Sequence, residues 1–361
     1  MKKTILIITG IVLTFLIIFF SVIKNFYNKI YKPKSSNKQV QNIKEKTSFN
    51  ILLLGYAGET HQGTFLTDTI ILAHIDERDK KALLISIPRD IWVKVPTKSK
   101  DDFHSKINAV YQIGLFPNDY PDIDKSYLKE SEVGLIKLAV NQITGLNVDN
   151  YITVDFQGFI KTIEVLEGIN VNVQTTFDDF KYPIEGKEGD LCGKEDPTEL
   201  EELYKVATES PEIAFPCRYQ LIHFDAGQQI MTGEAALNFA RSRNSSQDGG
   251  DFGRAKRQQL ILEAIKDKIL SIGFIPKIIP LLNELGNHIE TDIPLDQMQK
   301  LLSKIKDANS YSIKQLVITN NDYLDYSRSD DGQFILIPKE GIDNWTNIKK
   351  WIKNTINPTK N

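Results

Sequence analysis

Residues 50–90 read NILLLGYAGETHQGTFLTDTIILAHIDERDKKALLISIPRD. Three short apolar runs lie in this stretch: Ile51–Gly55, Thr69–Ile75 and Ala82–Ile87. The first is almost wholly Ile and Leu, which is how a strand covered on both faces reads. A glycine-bearing loop, Tyr56 to Leu66, follows it, and Pro88 stops the third run. Further along, Val133, Ile136, Val140 and Ile143 recur at helical spacing between Ser131, a candidate cap, and Gly145, a stop. Tyr151–Phe156 reads as a strand, Phe159–Leu166 as a helix and Ile169–Val173 as a strand. A polar insert covers 174–220. Beyond it, helices are expected over Thr232–Phe239, Arg254–Leu270, Pro276–Leu285, Leu295–Ile305 and Trp345–Ile352, with strands at Ser312–Ile318 and Phe334–Ile337. Strands alternating with helices indicate one α/β domain over 49–355, followed by a short tail, 356–361.

The chain has 361 residues, 41% apolar and 25% charged, with a net charge of -3. That balance argues against a nucleic-acid partner. The N-terminus is different. Thr4–Ile23 carries no charge and has about the ~20 residues that cross a bilayer. No small-residue cleavage site follows it, so residues 1–23 read as an uncleaved membrane anchor. Lysines flank both sides, and charge alone does not orient it. Residues 24–48 read as a tether, with KPKSSNKQVQNIKEKT at 32–47 lacking any apolar period. Cys192 and Cys217 both fall in the insert. They form either a disulfide in an oxidising compartment or two unrelated thiols; their spacing does not fit zinc.

The chemistry concentrates at 240–259, ARSRNSSQDGGDFGRAKRQQ, with five cations between 241 and 259. Arginine presents a planar fork of donors that matches phosphate oxygens, and a helix N-terminus adds free N–H groups. Arg254, Gln258, Ile261 and Ile265 share one helical face, charged first and apolar further on. Asp251 is placed to cap that helix or to fix an arginine. Arg89 follows the third strand, where α/β sheets bind ligands, although an Arg-Asp pair after a strand is more often a structural ion pair. Asp68, in Leu66-Thr67-Asp68, is either a ligand for a divalent metal or a turn cap. Lys106 is either another cation for the site or a solvated lysine. The glycine loop, with Glu59 and His61, is not a phosphate loop of the Gly-Lys-Ser/Thr type. Asp178-Asp179 and the acidic stretch 195–202 read as solvated surface.

These pieces resemble the LytR–CpsA–Psr family of cell-envelope phosphotransferases. The matching segments are NILLLG (50–55), TDTIILAHID (67–76), LLISIPRD (83–90), SKINAVY (105–111), NYITVDFQGFIKTIEVLEGINVNV (150–173), GEAALNFARSR (233–243) and DFGRAKRQQLILEAI (251–265). The resemblance implies a three-layer α-β-α sandwich around a mixed sheet, on the extracytoplasmic side of the cell membrane behind a single-pass anchor. It implies transfer of a glycan phosphate from a polyprenyl-pyrophosphate-linked donor to peptidoglycan, assisted by Mg2+ or Mn2+. Carried over, Arg89, Lys106, Arg241, Arg243, Arg254, Arg257 and Gln258 grip the pyrophosphate, and Asp68 binds the metal. Val154, Phe156 and Phe159 line a tunnel for the lipid. Catalysis falls to Arg89, Arg241 and Arg243, with Asp68, Asp90 and Asp251 as candidate bases. A lipid-binding scaffold and a lipid pyrophosphate hydrolase are the rival readings. Ala57 departs from the pattern, because many members have Asp there. Leu66-Thr67-Asp68 likewise replaces the usual Arg-Ser-Asp, which leaves Glu59 as a stand-in carboxylate.

Overall fold

The computed structural model describes residues 21, 24–33, 47–58, 64–207, 210–270, 284–303 and 310–358. Most of the expected anchor, most of the tether, most of the helix expected at 276–285, and Glu59 and His61 lie outside them. Among the described residues no helix is long and apolar enough to cross a membrane.

The three apolar runs of 50–90 are strands β1 (Ser48–Tyr56), β2 (Thr67–Asp76) and β3 (Lys81–Ser86). Two short strands, β4 (Trp92–Lys94) and β5 (His104–Lys106), pair with each other. Then come helices α1 (Ile107–Leu115) and α2 (Gly134–Thr144), strand β6 (Asn150–Asp155) and helix α3 (Phe156–Val165). Strand β7 (Ile169–Val173) leads into the insert and pairs with β10 (Gly227–Met231) beyond it. Far along the chain, β11 (Ile289–Thr291) and β12 (Ser312–Val317) complete a six-stranded sheet ordered β11-β6-β1-β2-β3-β12. The sheet is mixed: β1/β6 and β3/β12 are parallel and the other pairs antiparallel.

Register decides what each face carries, because side chains alternate along a strand. Leu52 and Leu54 pair with Leu72 and Ile70, and all four join the main core. That core is covered by α1, α2 and the terminal helix α7 (Thr346–Ile356). Leu53, Ile71, Ile152 and Val154 point to the opposite face and line a cavity. Over it lie α3, α5 (Gly233–Arg241) and α6 (Gly250–Ile269). Helices on both faces make three layers.

The sequence places the boundaries of these elements imperfectly. Phe156 starts a helix rather than ending a strand, because the Asp155 carboxylate accepts from Gly158 N at 2.7 Å and caps it. Gly145 ends α2 as expected, with φ of 73°. Part of the expected tether, residues 24–33, is docked on the domain. Lys24–Ile30 is helical, Ile30 is buried, and Tyr31 bridges to Thr291. One Ile and one Tyr dock this segment, too few to give a period. The described residues of the insert have structure of their own. Strands β8 (Phe177–Pro183) and β9 (Tyr219–Phe224) form a hairpin around helix α4 (Pro197–Ala207), and a Cys192–Cys217 disulfide closes it.

Candidate functional site

The cavity between the sheet and the α3–α5–α6 layer has a volume of about 610 Å³. Its body is apolar, with Leu53, Ile71, Ile152 and Val154 from the sheet facing Ile261 and Ile265 from α6. Phe156 and Phe159 contribute from the start of α3. One set of cationic side chains also lines it: Arg89, Arg241, Arg243 and Arg254, with Gln258 and Asp68. The stripe expected on α6 is present, since Arg254, Gln258, Ile261 and Ile265 all face the cavity.

Local chain geometry puts these groups together. Arg89 leaves the end of β3 and donates from Nη1 to Asp68 Oδ1 at 2.5 Å. Arg241 closes α5, and its guanidinium lies 4.5 Å from the Phe156 ring centroid. Asp251 does not cap α6, whose cap is Gly249; it fixes arginines, with Oδ1 2.7 Å from Arg254 Nη2 and 3.3 Å from Arg243 Nε. Gly253 lets the 243–249 loop fold against the helix. A Cβ there would meet the Asp248 carbonyl oxygen at 1.6 Å, so the glycine is kept despite its ~0.5–1 kcal/mol helix penalty.

The electrostatics are uneven. Burial alone would raise the Asp68 pKa, but Arg89, Arg254 and Arg241 outweigh it, and the carboxyl sits below its usual range. Asp90 is also held low, against burial, by contacts with Asp251, Arg89 and Lys106. Arg254 is 4% exposed. Burial pulls its pKa down to about 10, and Arg89 and Arg243 push the same way against Asp251. A buried cation crowded by other cations is stabilised by an arriving anion.

Three expected residues sit behind this surface. Asp90 and Asp251 hold arginines from the protein side, and Lys106 Nζ meets Asp90 Oδ1 at 2.9 Å. Arg257 is a correction. It is 1% exposed and away from the cavity. Its Nε donates to Phe239 O at 3.0 Å, its Nη1 to Asp248 O at 3.2 Å and its Nη2 to Ser242 O. The guanidinium ties the basic loop to α6 and has no fork left for a phosphate.

Asp179 is the second correction and the residue that sequence reasoning missed. It is 0% exposed. Its Oδ2 accepts from Ser242 Oγ at 2.8 Å and from the N–H groups of Arg243 and Asn244 at 3.0 Å each. Asp178 beside it behaves as expected, on the surface against His223. The available signal was the alternation of β8, in which Phe177 and Asp179 share a side.

The described residues do not fit a divalent metal. Three carboxylates line the cavity, Asp68, Asp155 and Asp179, and each is engaged by protein donors. Ala57, at the position where the family often has Asp, is buried against Phe156, Ile160 and Leu237. The two described groups with cation-ligand spacing, Asp190–Cys192–Cys217 and Asp102–His104–Asp343, are not part of the cavity wall, and the cysteines of the first are bonded to each other. Asp68 alone, against four arginines, does not make a cation site.

Fold and cavity define an α/β protein with arginines set over an apolar interior. The LytR_cpsA_psr family matches residues 17–350, and the chain belongs to that family. It is 27% identical over 294 residues to the polyisoprenyl-teichoic acid–peptidoglycan teichoic acid transferase TagU of Oceanobacillus iheyensis, covering 80% of this chain and 74% of that protein. It is 24% identical to TagU of Enterococcus faecalis, covering 96% and 99%. The crystal structure of TagV from B. subtilis superposes with a TM-score of 0.56 at 25% identity, covering 88% of this chain and all of that one.

Proposed function

We propose that the protein transfers a glycopolymer phosphate from a polyprenyl-pyrophosphate-linked donor to a peptidoglycan hydroxyl and releases polyprenyl phosphate. The observation that carries this is one cavity with four arginines above an apolar body, which matches a charged headgroup on a lipid. The names of the TagU relatives support the same reaction class. The domain works outside the cytoplasmic membrane behind the 1–23 anchor, a placement in keeping with the Cys192–Cys217 disulfide.

In this reading Arg89, Arg241, Arg243 and Arg254 take the pyrophosphate oxygens and Gln258 adds a neutral donor. Val154, Phe156 and Phe159 hold the first part of the lipid. The acceptor hydroxyl attacks the glycan-side phosphorus. A new P–O bond forms, the bond to the bridging oxygen breaks, and the lipid phosphate leaves with the bond electrons. Charge spreads over phosphoryl oxygens that the arginines already face, so catalysis rests on positioning and neutralisation. Of the three candidate bases, Asp68 is the one on the cavity wall. It orients Arg89 and takes the acceptor proton late, as suits a carboxylate of lowered basicity. Arg89→Ala and Arg241→Ala are expected to lose transfer at least ~100-fold, a loss of the size seen when a positioned charge-stabilising donor is removed. Both should keep the wild-type circular dichroism spectrum and melt cooperatively, with Arg89→Ala melting somewhat lower because Asp68 loses its partner. Normal transfer by both variants contradicts the assignment.

A further inference from the structure

The insert 174–220 carries no role in the transfer as described so far, yet its first strand reaches the arginines. We infer that β8 positions the arginine pair 241/243, with Asp179 acting through the backbone and Tyr182 through the Arg241 guanidinium; this rests on the reading of the cavity as a pyrophosphate grip. The Asp179 carboxylate accepts three hydrogen bonds from the consecutive residues 242–244, and its other oxygen accepts from Lys181 N at 3.0 Å. This one buried anion fixes the turn where the chain leaves α5, between the two arginines. Tyr182, three residues on, is 4% exposed and lines the cavity, with its ring centroid 5.8 Å from the Arg241 guanidinium carbon. Its hydroxyl makes no hydrogen bond of ordinary geometry, although Arg241 lies beside it. Burial raises the phenol to about 12, so it stays neutral and does not compete with a phosphate for the guanidinium.

Arg241 therefore lies over two rings, one from the core helix α3 and one from the insert. The Cys192–Cys217 disulfide closes the hairpin behind β8, and Phe177 at its start packs under Arg257 at 4.8 Å. The insert and the basic loop thus form one packed unit. A positioning role differs from mere packing in one respect: its effect must vanish when the positioned arginine is gone.

A double-mutant cycle reads this directly. The full chain in detergent is titrated calorimetrically with farnesyl pyrophosphate as a short polyprenyl probe. Asp179→Asn is expected to weaken binding about 10-fold in the wild-type background and less than about 2-fold in an Arg243→Ala background. Tyr182→Phe, which keeps the ring, should bind within about 3-fold of wild type, whereas Tyr182→Leu should lose about 10-fold, and only while Arg241 is present. Equal losses in both backgrounds overturn the inference and leave β8 as packing alone. A wild-type chain that does not bind the probe overturns the grip on which the inference stands. If Asp179→Asn does not fold, Ser242→Ala removes a single one of the three bonds and is run through the same cycle.

Discussion

Replacing Arg257 with Met separates the structural arginine from the ligand-facing ones. The side chain is 1% exposed and reaches three backbone carbonyls, those of Phe239, Ser242 and Asp248. It also pairs with Asp248 Oδ1 at 2.8 Å and lies over the Phe177 ring. Met fills most of the volume but donates nothing. Hydrogen bonds from a charged donor are each worth about 1.5–3 kcal/mol net, and three are lost. Relief of the buried guanidinium's desolvation, which burial marks by lowering its pKa, returns part of this. The expected net loss is about 3–5 kcal/mol. Urea unfolding followed by circular dichroism measures it, with Lys256→Met on the exposed side of the same turn as a control near zero. A loss below about 1 kcal/mol, or a stable Arg257→Met that fails to bind a lipid pyrophosphate, would refute the placement of Arg257 as the tie between loop and helix.

Gly253→Ala should destabilise by about 1–3 kcal/mol rather than stabilise as helix propensity would suggest, because the new methyl meets the Asp248 carbonyl; thermal melts decide the sign. Asp68 and Asp90 both have folded pKa values below their unfolded ones, so their contribution is complete above about pH 5 and is lost as pH falls through the folded values. Melting temperature should therefore decline steeply below about pH 4, and the decline should be shallower in Asp68→Asn. Chelation should cost little: transfer in excess EDTA is expected to stay within about 3-fold of that in Mg2+, since Asp68 is bound by Arg89 and Ala57 supplies no oxygen. Loss of transfer beyond ~100-fold on chelation would show that the arginines do not suffice.

The central strands were legible because β1, β2 and β3 are covered on both faces and so read as continuous apolar runs. The α6 stripe was legible because helical spacing carries a charged head into an apolar body on one face. Arg257 could not be told from Arg254 in the same way. What separates them is the 242–248 loop folding onto one side of the helix, a tertiary event that no spacing records. Asp179 was hidden for a related reason. In β8 the acid points inward and Phe180 outward, the reverse of ordinary strand patterning, because the acid's partners are backbone N–H groups 64 and 65 residues away. The docked segment before the domain was missed because buried Ile30, the Tyr31 bridge and Lys32's contacts to β11 are too few and too mixed to give an apolar period.

The account rests on transfer to an acceptor, and one incubation tests that. The purified chain is given a polyprenyl-pyrophosphate-linked glycan, with and without peptidoglycan, and both the released lipid phosphate and the wall-bound glycan phosphate are measured. The account predicts lipid phosphate and wall-bound product in matched amounts only when peptidoglycan is present, and neither from Arg241→Ala. Release of lipid phosphate at the same rate without peptidoglycan would make the protein a hydrolase, and binding with no turnover in either arm would make it a scaffold; each contradicts the claim.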